Sequence, residues 1–211
     1  MQSQTPKYVI RPARKSECRR IAQFYRISSD GVADYIWTRM AEPGGDILDV
    51  GQKRYEREGG TFSYENCKLV ELEGSVVAML VAFPMEVDEY EETDPVLAPY
   101  SVLEEDQSYY ICGMALEERF RRKGIATMLM DEAERDCLRL GLVKLSLIVF
   151  EQNVQARRLY ERCGYVETRR LPVVPHPLIH YTGDALLMVK SVGGGSEHGD
   201  GTVGTSGAVL L

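Results

Sequence analysis

The run from Ser108 to Ala126 limits most sharply what this chain can become. Its first nine residues, Ser108-Tyr109-Tyr110-Ile111-Cys112-Gly113-Met114-Ala115-Leu116, are apolar and aromatic enough for a buried strand. After Glu117-Glu118-Arg119-Phe120 comes a basic, glycine-punctuated turn, Arg121-Arg122-Lys123-Gly124-Ile125-Ala126. That turn opens a helix whose Ile125, Leu129, Ala133, Cys137 and Leu140 share one face. A strand that passes through a basic turn into a helix N-terminus builds an anion site. The unbonded N–H groups of the first turn, the positive end of the helix dipole and the neighbouring Arg and Lys all favour negative charge.

The rest of the chain supplies elements of both kinds. Tyr8 to Arg11 alternates as a short strand. Ser16 is expected to cap a helix carrying Cys18, Ile21, Ala22 and Tyr25, and Asp30 a second with Val32, Tyr35, Ile36 and Met40 inward. Pro43-Gly44-Gly45 ends that helix, and Asp46 to Glu58 reads as a third, short one. Cys67 to Leu72 and Ser75 to Phe83 form a hairpin about Glu73-Gly74; the second strand is apolar on both faces and so central. Glu86 to Asp106 is an acid-rich loop with Pro95 and Pro99. Val143 to Phe150 is a strand, Asn153 caps the helix after it, and Gly164 stops that helix. Tyr165 to Arg170 and Asp184 to Lys190 are strands on either side of a proline-broken loop. Residues 1–192 read as one domain and residues 193–211 as a disordered Gly/Ser-rich tail. The fold class is α/β with a mixed sheet: a hairpin in the first half, strand–helix–strand crossovers in the second.

Charge and cysteines remove several partner classes. A net charge of -7 argues against generic nucleic-acid binding. The longest apolar run, Ser75 to Met85, falls far short of the roughly 20 residues a membrane span needs. The N-terminus has no apolar signal region. Five cysteines, an odd count without Cys-x-x-Cys spacing, read as reduced thiols. The expectation is a cytoplasmic protein with neither nucleic acid nor membrane as partner. His176 and His180 are four apart, but Pro175 and Pro177 keep them off a common helix face, so no metal site is expected. Edge strands of the sheet would allow a homodimer.

Two pieces of the chain carry a family resemblance. Arg121-Arg122-Lys123-Gly124-Ile125-Ala126 resembles the Arg/Gln-x-x-Gly-x-Gly/Ala signature of the GCN5-related N-acetyltransferase (GNAT) superfamily. Downstream, Asn153-x-x-Ala156-x-x-Leu159-Tyr160-x-x-Cys163-Gly164-Tyr165 is similar to that family's Asn-x-x-Ala-x-x-Leu-Tyr-x-x-x-Gly-Phe helix. The two stand in the family's order, and the compatible element pattern runs from Tyr8 to Lys190. The resemblance implies a central twisted mixed sheet flanked by helices. Its parallel strands, ending at Leu116 and Phe150, would splay at their ends to leave a slot for an extended thioester.

It also implies acetyl-CoA as cosubstrate and direct acetyl transfer to a primary amine of a small-molecule or peptide acceptor. The cofactor-binding residues it implies are Arg121, Arg122, Lys123, Gly124, Ile125, Ala126 and Thr127 for the diphosphate. Met114 and Leu116 would serve the pantetheine arm through main-chain groups, with Asn153 a further contact. Ala126 stands where many members carry Gly. Tyr160 would be the catalytic acid that protonates the departing thiolate. Several members carry a Glu early in the strand for the base; here Ser108-Tyr109-Tyr110 occupies that place, and Glu71, Glu117, Glu118 or water-mediated deprotonation all stay open. Cys112 and Cys163 lack a recognisable His partner, so no covalent acyl-enzyme is expected. His180 and Tyr181, and the acidic run Glu86, Asp88, Glu89, Glu91, Glu92, Asp94, are candidate acceptor contacts. Two alternatives remain: an acyl-CoA-binding sensor without turnover, and a transferase using a longer acyl-CoA.

Overall fold

The computed structural model describes residues 7–87 and 92–193. It divides into two compact units, Met1–Val81 with Gly113–Leu129, and Ala82–Cys112 with Met130–Leu211. Asp88, Glu89 and Glu91 of the acidic run, and all of the expected tail after Gly193, lie outside the described residues.

In the first unit β1 (Val9–Pro12), β2 (Cys67–Leu72) and the leading part of β3 (Ser75–Met85) pair antiparallel in sequence order. The β2–β3 turn is the expected Glu73-Gly74, both at positive φ (49° and 79°), as a two-residue hairpin turn of the right twist requires. Three helices complete this unit's core: α1 (Cys18–Ser28), α2 (Val32–Met40) and α3 (Ile47–Tyr55). Tyr25 centres their packing, with Trp37, Tyr55 and Phe62 rings 6.0, 5.7 and 6.0 Å away.

The helix starts differ from the sequence expectations. Ser16 does not cap α1; it lies inside a 3-10 turn, Lys15–Glu17, where the Glu17 carboxylate accepts the Arg14 N–H at 2.8 Å. At α2 the cap residue is Gly31, at φ 98°, and the Ser29 hydroxyl rather than Asp30 accepts the Ala33 N–H at 3.1 Å. Both errors have one cause: short polar side chains crowd these turns, and sequence cannot say which reaches the open N–H groups. Met40, expected inward, is 48% exposed, and Thr38 and Arg39 beside it in the last turn of α2 are exposed as well. Asp46 does cap α3, accepting the Leu48 N–H at 2.9 Å, but that helix ends at Tyr55 rather than Glu58.

The second unit holds the end of β3, the start of β4 (Ser108–Leu116), and β5 (Lys144–Phe150), β6 (Val166–Pro172) and β7 (Asp184–Ser191). β7 pairs antiparallel with β5 along seven residues, Lys144↔Ser191 through Phe150↔Ala185, and with β6 on its other edge. The expected acidic loop before β4 contains a short helix, α4 (Ala98–Val102), with Pro99 in its first turn. α6 (Val154–Arg162) precedes β6.

Two strands, β3 and β4, run through both units, and among the described residues seven strands follow the order β1-β2-β3-β4-β5-β7-β6 in a mixed sheet. β3 is buried from Val77 to Phe83, as its two apolar faces predict. β4 and β5 are parallel, as expected, but their ladder is short: Tyr109↔Leu145, Tyr110↔Ser146 and Ile111↔Leu147. Both strands continue beyond the last of these pairs. α5 (Ile125–Arg139) also passes through both units; Ile125, Leu129, Ala133 and Cys137 are buried, whereas Leu140, one residue past its end, is 54% exposed.

Candidate functional site

The carboxyl-terminal half of β4 is held against α1 at very close range. A Cβ built on Gly113 would stand 2.8 Å from the Ser28 hydroxyl and 3.1 Å from the Tyr25 ring, so only glycine lets strand and helix approach this far. Around it the strand alternates: Ile111, Gly113 and Ala115 are buried, while Met114 and Leu116 are half-buried on the opposite face. Met114 and Leu116, the two residues expected to serve an extended arm, therefore lie side by side on one face.

After Leu116 the chain makes one more strand-like bond, Glu117 N–H to the Val77 carbonyl at 3.0 Å. It then folds into a 3-10 turn, Glu118–Phe120, closed by Phe120 N–H to Glu117 O (2.9 Å) and Arg121 N–H to Glu118 O (3.0 Å). Arg122 follows at φ 61° and Gly124 at φ 79°. A left-handed arginine costs of order 1–2 kcal/mol and is uncommon outside tight turns. The first backbone bond of α5 runs from Met128 N–H to Gly124 O at 3.0 Å. The N–H groups ahead of it, through Ile125, Ala126 and Thr127, are the open donors of a helix start.

Residues 121–124 are exposed, and a Cβ on Gly124 would meet no atom within 4 Å. Gly124 is thus required by backbone conformation and not by packing. Among the described residues the Arg121 and Arg122 guanidinium groups make no hydrogen bond or ion pair, while the Lys123 ammonium stands 5.1 Å from the Phe120 ring centroid. Open N–H donors, three cationic side chains and clear space above a glycine fit a bound diphosphate, and all of these groups belong to the first unit.

Asn153 and Tyr160 belong to the second unit. Asn153 caps α6 as expected, its side-chain oxygen accepting the Ala156 N–H at 3.3 Å. Ala156, Leu159, Tyr160 and Cys163 share the helix face expected to turn inward, but each is only half-buried, and no residue of α6 is fully buried. The Tyr160 ring lies 6.1 Å from that of Tyr165, whose buried hydroxyl has no partner among the described residues. Burial pushes the Tyr165 phenol up, favouring its neutral form.

The candidates for the base are mostly engaged elsewhere. Glu71 accepts from Arg11 at 2.8 Å, and Glu117 accepts from Arg20 and, at 2.8 Å, from Arg119. Glu118 is exposed on the 3-10 turn. Ser108 is buried; its hydroxyl donates to the Glu105 carbonyl at 2.7 Å and sits 2.6 Å from the Ser146 hydroxyl. In the acidic run, Glu92 accepts the Asp94 N–H and Asp94 accepts the Val96 N–H, each at 2.8 Å, so these two shape the turn into α4. His176 Nδ1 accepts the Leu178 N–H at 3.2 Å, His180 is exposed, and the Tyr181 ring packs 5.3 Å from Phe150.

Sequence reasoning missed two partnerships. Arg20 reaches Glu117 across 97 positions, which no local periodicity announces. Ser146 pairs with Ser108; its signal was a lone hydroxyl inside an otherwise apolar strand. Among the described residues no helix is long and apolar enough to cross a membrane.

Comparison with known proteins adds to this geometry. A sequence-family profile described as "Acetyltransferase (GNAT) family" matches residues 32–165. The Bacillus subtilis protein "Uncharacterized N-acetyltransferase YycN" is 39% identical over 62 residues, 29% of this chain and 40% of that protein. The Arabidopsis thaliana "L-ornithine N5-acetyltransferase NATA1" is 32% identical over 89 residues, 41% of this chain and 36% of that protein. Each match thus spans less than half of the relative's length. Among solved structures, yncA from Salmonella typhimurium, solved with its cofactor acetyl-CoA, superimposes with a TM-score of 0.59 at 15% identity, covering 93% of this chain and 98% of that one.

Proposed function

The chain belongs to the acetyltransferase (GNAT) family, and from that premise we propose that it is an acetyl-CoA-dependent N-acetyltransferase acting on a small-molecule primary amine. The observation that carries this reading is the turn before α5, where left-handed Arg122 and Gly124 expose helix-start N–H groups beside three cationic side chains. Two relatives named as N-acetyltransferases, one acting on ornithine, support the reaction and the acceptor class.

When bound, acetyl-CoA supplies an activated acetyl thioester. The residues of this chain then divide the work. Main-chain donors from Arg122 to Thr127 hold the diphosphate, and Arg121 and Arg122 supply countercharge. Main-chain groups of Met114 and Leu116 hold the amide-bearing arm in the manner of a paired strand, with Asn153 a further contact. An N–H on this strand stabilises negative charge on the thioester oxygen as the amine nitrogen bonds to the acetyl carbon. The carbon–sulfur bond would break with its electron pair left on sulfur and the Tyr160 phenol would give that sulfur a proton, while the proton lost from the amine nitrogen would pass to water and from there restore the phenol.

One observation favours a second reading, an acyl-CoA-binding module without turnover. Ser108, buried and bonded to Ser146 and Glu105, leaves the start of β4 without a carboxylate. Thiol release from acetyl-CoA over a panel of ornithine, polyamines, aminoglycosides and peptide N-termini separates the two. Turnover on any amine supports the transferase. Calorimetric binding of coenzyme A with no thiol released on any amine supports the module, and no binding at millimolar ligand overturns both.

A further inference from the structure

One side chain of the first unit joins three parts of the backbone that lead into the turn, and none of the roles above uses it. Arg20 projects from α1. One end of its guanidinium donates to the Glu117 carboxylate and, at 3.1 Å, to the Val76 carbonyl at the start of β3; the other donates to Gln23 at 3.2 Å. Its carbon lies 4.2 Å from the Phe24 ring centroid, a stacked arrangement that fixes the plane of the fork. Glu117 is the residue on which the turn closes, because its carbonyl accepts the Phe120 N–H and its own N–H bonds Val77. Arg20 is only partly exposed (35% for the side chain, 26% for Glu117), whereas Arg119, the second partner of Glu117, is 72% exposed.

We propose that Arg20 is a positioning residue for the diphosphate cradle, acting through Glu117. One terminal nitrogen of the planar guanidinium donates to Glu117 and Val76 while the other donates to Gln23 and the plane stacks on Phe24, a set of contacts that a single ammonium nitrogen cannot make at once. It thereby fixes the point from which residues 118–124 leave the sheet. It also neutralises a carboxylate that stands four residues before Arg121 and would otherwise oppose a bound anion. Arg119 cannot replace it, since an exposed pair is screened and holds little.

This inference rests on the cofactor reading above, and the test keeps the two apart. Coenzyme A binding is measured by calorimetry for the full chain, for Arg20→Met, for Glu117→Gln and for the double variant, with acetyl-transfer rates at saturating acetyl-CoA. Arg20→Met is expected to weaken binding about tenfold, with kcat nearly unchanged; in the Glu117→Gln background the same change should cost about twofold or less. Equal losses in both backgrounds, or a lowered melting temperature with unchanged affinity, overturn the inference. If Arg20→Met does not fold, Arg20→Lys carries the test: it keeps the charge but not the fork, and unchanged affinity there is equally fatal. A wild-type chain that binds no coenzyme A removes the cofactor reading and this inference with it.

Discussion

Gly124 and Gly74 make a matched pair on which the cradle can be tested. Both have φ 79°, and a Cβ on either would meet no atom within 4 Å. Replacing either with alanine therefore costs only the left-handed backbone term, about 1–2 kcal/mol. For a chain of this size that lowers the melting temperature by roughly 2–4 °C per kcal/mol. The two alanine variants should melt together, a few degrees below the parent. Their affinities should differ. At Gly74, in the β2–β3 hairpin turn, the added methyl lies away from the cradle and coenzyme A affinity should be unchanged. At Gly124 the methyl enters the space assigned to the diphosphate and displaces at least one charge-assisted N–H bond. Such a bond contributes about 1.5–3 kcal/mol, so binding should weaken roughly ten- to a hundredfold. Calorimetry with coenzyme A and thermal melts on the same samples give both numbers. If Gly124→Ala melts with Gly74→Ala and still binds like the parent, the turn before α5 does not hold the diphosphate.

Three further expectations follow from other parts of the second unit. Tyr160→Phe should lower kcat about ten- to a hundredfold in the thiol-release assay with coenzyme A affinity unchanged, and an unaltered rate would remove its role as proton donor. Asn153→Ala deletes the acceptor for the Ala156 N–H and should cost about 1 kcal/mol in urea denaturation, whereas Asn153→Ser should recover most of it. Burial, with Glu92 adding charge repulsion, pushes the Glu104 carboxyl up to about 7 from its ordinary 4.5, so the folded chain keeps a proton that the unfolded chain releases first. Its contribution to stability is full below about 4.5 and is lost as pH rises through about 7; Glu104→Gln should flatten that fall between about pH 5 and about pH 8, and identical slopes would refute the assignment.

Where periodicity alone decides, the sequence was enough. β2 and β4 begin and end at the expected residues, and α5 buries Ile125, Leu129, Ala133 and Cys137 as their spacing requires. The hairpin turn was legible because Glu73-Gly74 is short and only a left-handed pair closes it. What failed at the helix starts depended on competition between neighbours. Ser29, Asp30 and Gly31 all suit a helix start, and the backbone at Gly31 chose among them. Met40 falls at the end of α2, where Thr38 and Arg39 are exposed too, while Ala33, Ile36 and Trp37 carry the buried face. The candidate residues of the cradle were named because a site built on main-chain groups carries a fixed local pattern. Arg20 was not, because an ion pair between a helix and a distant turn leaves no trace in spacing.

Among the described residues, the four non-glycine residues at positive φ, Asp30, Glu73, Gln107 and Arg122, bear on why the cradle has the sequence it does. Glu73 shares a two-residue hairpin turn with Gly74, where the conformation is imposed by strand pairing. Asp30 precedes Gly31 in the α1–α2 turn, and Gln107 enters β4 directly, so each is set by the element beside it. Arg122 stands between a closed 3-10 turn and the left-handed Gly124, and its side chain makes no hydrogen bond or ion pair among the described residues. A glycine at 122 would relieve the backbone by about 1 kcal/mol. Retaining arginine there makes physical sense if its charge is used by something outside the chain. A negatively charged group at the α5 N-terminus is the partner that would offset the strain. Arg122→Gly should then raise the melting temperature while weakening coenzyme A binding. A variant that gained stability and lost no affinity would mean that the strain at this residue serves no ligand.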